Sequence, residues 1–148
     1  MSYTQLIYHV VIRTKGNKPT ISLKYSDDLY RYIWGVIKDK DCVLYRVNGI
    51  EDHVHILFSL RPTIALSDFM RDLKAETSKM LKRTRGFERF TSWSTGYAAL
   101  TYSSKEKDTV INYIKNQREH HKTISFRDEY ILLLKEMGLK LEERDWNR

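Results

Sequence analysis

From His53 to Leu60 the chain alternates between two kinds of side chain, and that alternation restricts the fold more than any other stretch. Successive side chains on a β-strand point to opposite faces. His53 and His55 therefore share one face, while Val54, Ile56, Phe58 and Leu60 share the other. The apolar face has to be buried against other elements, and the second face carries two imidazoles beside Glu51 and Asp52. Imidazoles held next to acidic groups can make most of a divalent-metal site. A His-x-His pair is common, however, and alone it makes no metal site. It needs further donors and a reaction.

The neighbouring segments decide what kind of sheet this strand joins. Tyr3 to Ile12 reads as a strand, with Leu6, Tyr8, Val10 and Ile12 on one face and Ile7, His9, Val11 and Arg13 on the other. A basic loop, Arg13 to Pro19, follows; it is either a solvated connection or an edge that touches phosphate. Ser26 to Lys40 is helical, with Ser26 as cap, Asp27 and Asp28 in the first turn, and Leu29, Tyr32, Ile33, Val36 and Ile37 at helical spacing. Cys42 to Val47 reads as a second strand that turns through Asn48-Gly49 into the histidine strand. Arg61-Pro62 ends that strand, because proline lacks a ladder donor.

A second helix runs from Ser67 to about Arg83, with Leu66, Phe69, Met70, Leu73, Met80 and Leu81 on its apolar stripe. Lys74, Lys79, Lys82, Arg83 and then Arg85 make its far half basic, either as a solvated face or as a nucleic-acid contact. Phe90 to Tyr102 is strand-like; Trp93 and Tyr97 there suit the core better than base stacking. Ser125 with Asp128 starts a last helix, Tyr130, Leu133, Leu134 and Met137 form its docking stripe, and Gly138 stops it. The polar tail, Glu142 to Arg148, is expected to fray.

The resulting order, β-α-β-β-α-β followed by extra helices, is the α+β, ferredoxin-like split βαβ arrangement. It predicts a four-stranded antiparallel sheet with two helices on one face, plus a third helix bearing Tyr113 and a C-terminal helix. With 148 residues the chain reads as one domain, 1–148, divided into a core, 1–122, and a C-terminal helix and tail, 123–148. No apolar run approaches the length of about 20 residues that a membrane span needs. No signal peptide is evident, and the one cysteine, Cys42, suits a reducing cytoplasm. An excess of 26 Lys+Arg over 19 Asp+Glu gives a net charge of +7, which favours a polyanionic partner, nucleic acid first.

Between Lys105 and His121 lies the third helix. At about 100° per residue, Val110, Ile111 and Ile114 form its apolar centre, and Tyr113, Gln117 and His120 line one flank. Taken by itself it reads as a packing helix with a half-buried tyrosine. If it packs on the histidine face of the sheet, Gln117 becomes a third, oxygen-donating ligand and Tyr113 stands one turn away. A tyrosine hydroxyl is a nucleophile suited to phosphoryl transfer. Mixed imidazole and oxygen donors suit Mg²⁺ or Mn²⁺.

At these residues the chain resembles a known family. His53-Val54-His55 is similar to the His-hydrophobic-His motif of the HUH nucleases, and Tyr113 to Gln117 is similar to the helix of their single-tyrosine transposases of the IS200/IS605 type. The resemblance extends through Tyr8 to Lys15, Asn48-Gly49, Trp93 to Tyr97 and Asn116 to His121. The REP-associated tyrosine transposases share these motifs. The resemblance implies a homodimer acting on single-stranded DNA with hairpin ends, in which one subunit's tyrosine helix can complete the other's site. It implies cleavage through a 5′-phosphotyrosine and then strand transfer. It also implies Tyr113 as nucleophile and His53, His55 and Gln117 as ligands of Mg²⁺ or Mn²⁺. His120 is left as a group behind the ligands or the start of a turn. Arg13, Lys15, Lys79, Lys82, Arg83 and Arg85 are the candidate DNA contacts. The alternatives are a non-catalytic nucleic-acid-binding module of the same fold, a domesticated transposase relative, and a metallohydrolase that uses water in place of tyrosine.

Overall fold

A computed structural model describes residues 2–148. The sheet is four-stranded and antiparallel, in the order β2-β3-β1-β4, from β1 (Ile7–Arg13), β2 (Val43–Ile50), β3 (His53–Ser59) and β4 (Ala98–Tyr102). The two crossover helices, α1 (Ser26–Asp39) and α2 (Leu66–Arg83), cover one face, which is the split βαβ arrangement. Val10, Ile12, Val54, Ile56 and Phe58 pack there against Leu29, Ile33 and Ile37 of α1 and Phe69, Met70 and Leu73 of α2.

The other face is also covered. The helices α3 (Lys107–Lys115), α4 (Gln117–His120), α5 (Phe126–Glu136) and α6 (Glu143–Trp146) follow β4. Val110 and Ile114 of α3 pack on Ile7 and Leu57, while Phe126, Tyr130 and Leu133 of α5 pack on Val11, Ala98 and Leu100. The sheet is thus a middle layer, and the histidine face is its interior on the α3–α5 side. Ser125 caps α5 by accepting from the Asp128 N–H, and Gly138, at φ 72°, lies just past its end.

Several expectations are corrected. Asn48-Gly49 is not the hairpin turn; both residues lie in β2, and the turn is Glu51-Asp52 between the paired residues Ile50 and His53. Gly49 is required there by close approach, since a Cβ would stand 2.1 Å from the His53 carbonyl oxygen. Gly49→Ala is accordingly expected to lower stability by about 1–3 kcal/mol, read as a shift in the urea midpoint; an unchanged midpoint would show that the strands can part freely. Ser26 does not cap α1; its hydroxyl donates to the Leu23 carbonyl instead. The first strand is shorter than expected, and of Phe90 to Tyr102 only the last five residues are strand, with Trp93 in an isolated bridge to Thr14. Trp93 is core, its indole N–H donating to Thr77.

The tail does not fray either. Trp146 packs on Phe126 and Tyr130, and the Arg13 guanidinium lies over both Tyr130 and Trp146 while donating to the carbonyls of Asp145 and Trp146. Residues 124–148 therefore form a strap held to the end of β1.

Candidate active site and metal centre

Strand alternation puts His53 and His55 side by side on β3, and both are fully buried beneath α4 and α5. Tyr113 comes from the last turn of α3 and Gln117 from the first residue of α4. The expected single helix is broken between them, at Asn116 (φ −94°, ψ 15°). The last carbonyls of a helix lack intrahelical partners. Here the Asn48 amide of β2 donates to the carbonyls of both Ile114 and Lys115, at 3.1 Å each. Asn48 thus bolts the end of the tyrosine helix to the strand beside His55.

All four expected residues converge on one carboxylate that the sequence reading missed, Glu129 of α5. Glu129 is 2% exposed. Its Oε1 lies 3.2 Å from His55 Nε2, 3.6 Å from His53 Nε2 and 3.1 Å from His121 Nε2. Its Oε2 accepts from the Gln117 amide at 2.8 Å and from the Tyr113 hydroxyl. Gln117 Oε1 faces His53 Nε2 at 3.1 Å and His121 Nε2 at 3.0 Å. His120, half-exposed, places Nε2 3.3 Å from Glu129 Oε2 and its ring edge-on to Tyr113, so it borders the group from the solvent side.

Both histidine ligand candidates are also held from behind. His53 Nδ1 lies 2.7 Å from Asp52 Oδ1, and His55 Nδ1 lies 2.8 Å from Nε2 of His9, another buried histidine. Burial pulls the His55 imidazole down to about 4 and holds His9 well below its ordinary value as well. Burial would raise the Glu129 acid, yet hydrogen bonds from His121 and His55 outweigh it and keep the carboxylate far below the usual range. Burial would depress His121, but its contact with Glu129 lifts it above the ordinary histidine value. Burial and the Glu129 contact both push the Tyr113 phenol up, so that it keeps its proton.

The donor set fits a divalent cation. One ligand atom from each of His53, His55, His121 and Glu129 lies within 4.8 Å of all the others. Neighbouring ligands of an octahedral ion with bonds of about 2.1 Å stand about 3 Å apart, which is the spacing between Gln117 Oε1 and His53 Nε2 and between Glu129 Oε1 and His55 Nε2.

The candidate DNA contacts divide. Lys15, Lys79, Lys82, Arg83 and Arg85 are exposed. Arg13 differs from these: it is 5% exposed, and its guanidinium donates to Asn17 and to the C-terminal strap. Lys74 is likewise engaged, by the carbonyls of Ser94 and Gly96. Of the residues the sequence reading missed, Glu129 did leave a signal. It is a charged residue within the stripe Phe126, Tyr130, Leu133, where only an apolar or partnered side chain belongs. His9 stood on the apolar face of the first strand and His121 in the stretch Asn116 to His121, but their partners depend on which strands and turns meet.

These features define a small α+β protein with a tyrosine and a histidine–amide–carboxylate cluster on the covered face of a split βαβ sheet. The family model for IS200-like transposases matches residues 2–117, and the chain belongs to that family. It is 30% identical over 125 residues to the transposase for insertion sequence element IS200 of Salmonella typhimurium, covering 78% of each chain. To the ISDra2 transposase TnpA of Deinococcus radiodurans it is 22% identical over 120 residues, covering 78% of this chain and 86% of that protein. Its fold resembles that of a REP-associated tyrosine transposase solved bound to a REP hairpin, with TM-score 0.62, 12% identity and coverage of 84% and 73%. The family match includes His53, His55 and Tyr113 and ends on Gln117; His121 and Glu129 lie beyond it. Among the described residues no helix is long and apolar enough to cross a membrane.

Proposed function

We propose that this transposase cuts and rejoins single-stranded DNA with Tyr113 as nucleophile. His53, His55 and Gln117 would hold Mg²⁺ or Mn²⁺, with Glu129 as a further oxygen donor. The observation that carries this reading is the meeting of the Tyr113 hydroxyl and the Gln117 amide on one Glu129 oxygen, inside the ring of histidines. When bound, the ion supplies Lewis-acid polarisation of a phosphate. The chain's own groups do the rest. Asn48 and the break at Asn116 fix where Tyr113 points, and the sheet and α5 exclude bulk water from the histidines. In the reaction the Tyr113 oxygen forms a bond to phosphorus and gives its proton to water, while the bond from phosphorus to the 3′ oxygen breaks and that oxygen takes up a proton. The products are a 5′-phosphotyrosine and a free 3′-hydroxyl, which strand transfer later reverses.

A DNA substrate is supported by family membership, by the net charge of +7 and by the exposed cations at Lys15, Lys79, Lys82, Arg83 and Arg85. Hairpin ends are proposed because the REP-associated relative was solved with a hairpin. The homodimer implied by the resemblance belongs to the same proposal, although one chain already brings Tyr113 to its own histidines. The test incubates the protein and Mn²⁺ with end-labelled, hairpin-bearing single-stranded DNA, followed by a denaturing gel. A protein-linked DNA species that a chelator abolishes is expected. Cleavage with no linked species would favour a water-using hydrolase, and binding with neither would favour a non-catalytic module.

A further inference from the structure

His9 has no part in the reaction above, yet it is fully buried against the site. It sits in mid-β1, paired with Leu57 on one side and Leu100 on the other. Its Nε2 lies 2.8 Å from His55 Nδ1, with ring centroids 5.0 Å apart. His55 is therefore held at both ends, since its Nε2 faces Glu129 at 3.2 Å. An imidazole that binds a cation through one nitrogen carries its hydrogen on the other, and that hydrogen needs an acceptor. For His53 the acceptor is the Asp52 carboxylate. For His55 Nδ1, among the described residues, it is His9 that stands within reach.

We propose that His9 is a positioning residue of the metal site: its Nε2 accepts the Nδ1–H of His55 and so turns the His55 Nε2 lone pair toward the ion. This rests on the reading of His53, His55, Gln117 and Glu129 as a metal site. It carries a consequence for His9 itself. With Nε2 accepting, the ring's hydrogen is on Nδ1, and Nδ1 has no hydrogen-bond partner among the described residues. Without an ion the reverse pattern is the better one. His55 Nε2–H then donates to Glu129, His55 Nδ1 accepts from His9 Nε2–H, and a bare lone pair is left on His9 Nδ1. Metal loading therefore reverses the shared hydrogen bond, with no change in the charge of either ring.

Two measurements test this. In the first, Mn²⁺ binding is followed by calorimetry in the parent protein, His9→Phe and His9→Gln. The Phe ring keeps the volume and removes the acceptor, whereas the Gln amide oxygen can stand near the place of Nε2. Loss of such a partner costs about 10- to 100-fold in metal affinity. That loss is expected for His9→Phe, with affinity restored to within about threefold in His9→Gln. The second reads imidazole ¹⁵N shifts in the parent with and without Zn²⁺ as a diamagnetic probe; the hydrogen of His55 should move from Nε2 to Nδ1 on loading. Parental affinity in His9→Phe overturns the proposal, as does a loaded spectrum with no hydrogen on His55 Nδ1. Should His9→Phe fail to fold, the spectrum decides. A parent that binds neither ion would instead sink the metal-site reading on which the proposal stands.

Discussion

Tyr113→Phe is expected to bind Mn²⁺ and hairpin DNA like the parent and to lose the covalent protein–DNA species by at least about a thousandfold, as removal of a nucleophile does. The ring stays, and with it the edge-on contacts to His55 and His120. What disappears is one hydroxyl and one hydrogen bond to Glu129. A hydrogen bond to a charged group contributes about 1.5–3 kcal/mol, and Gln117 still donates to the same oxygen, so the metal-free variant should melt a few degrees lower and remain folded. A Phe variant that still links to DNA would remove Tyr113 from the mechanism. One that cleaves without linking would assign the reaction to water.

The second large effect is expected from His53. Its ring is sandwiched between Asp52 and Gln117 and stacks on Phe126 at 3.6 Å. His53→Ala deletes a proposed ligand and opens a cavity, so Mn²⁺ affinity should fall by more than about a hundredfold, beyond the loss that an outer partner causes. Adduct formation should be lost with it. His53→Gln fills most of the volume and separates the two causes, because it should recover stability without recovering Mn²⁺ affinity. Parental metal affinity in both variants would show that the ion, if one binds, sits elsewhere.

Much of this architecture can be read from local pattern. The alternation in β3 and the apolar stripes of α1, α2 and α5 each reflect burial of a single face, which a sequence records residue by residue. The strand order then follows from the order of elements. What could not be read depends on partners distant in sequence. Asn48-Gly49 has the composition of a turn, but the Asn amide is bonded 66 residues away, at Ile114, and the glycine makes room for the neighbouring strand. The helical stripe of α3 continues past Asn116, so only the tertiary bolt reveals the break there. Arg13 has the look of a surface cation, and its burial depends on Trp146 at the far end of the chain.

The site divides along the same line. His53, His55, Tyr113 and Gln117 stand at spacings fixed by one strand and one helix turn, so sequence could pair them two by two. Their meeting on Glu129 needed α5 to be laid over the sheet, and nothing within five residues of either motif records that. The group behind His55 was present in the sequence as an inward-facing His9, but β1 and β3 had to pair in register before it gained a partner.

The strap closed by Arg13 has a practical meaning for anyone who trims or recombines this protein. A version cut after Gln117, where the family match ends, would keep every residue of the tyrosine–histidine motifs. It would also strip the cover from Val11, Ala98 and Leu100, leaving an oily strip that invites self-association. The portable unit in this chain is therefore longer than its motif, and an exchange of catalytic modules with a relative has to carry α5 and α6 along with the tyrosine.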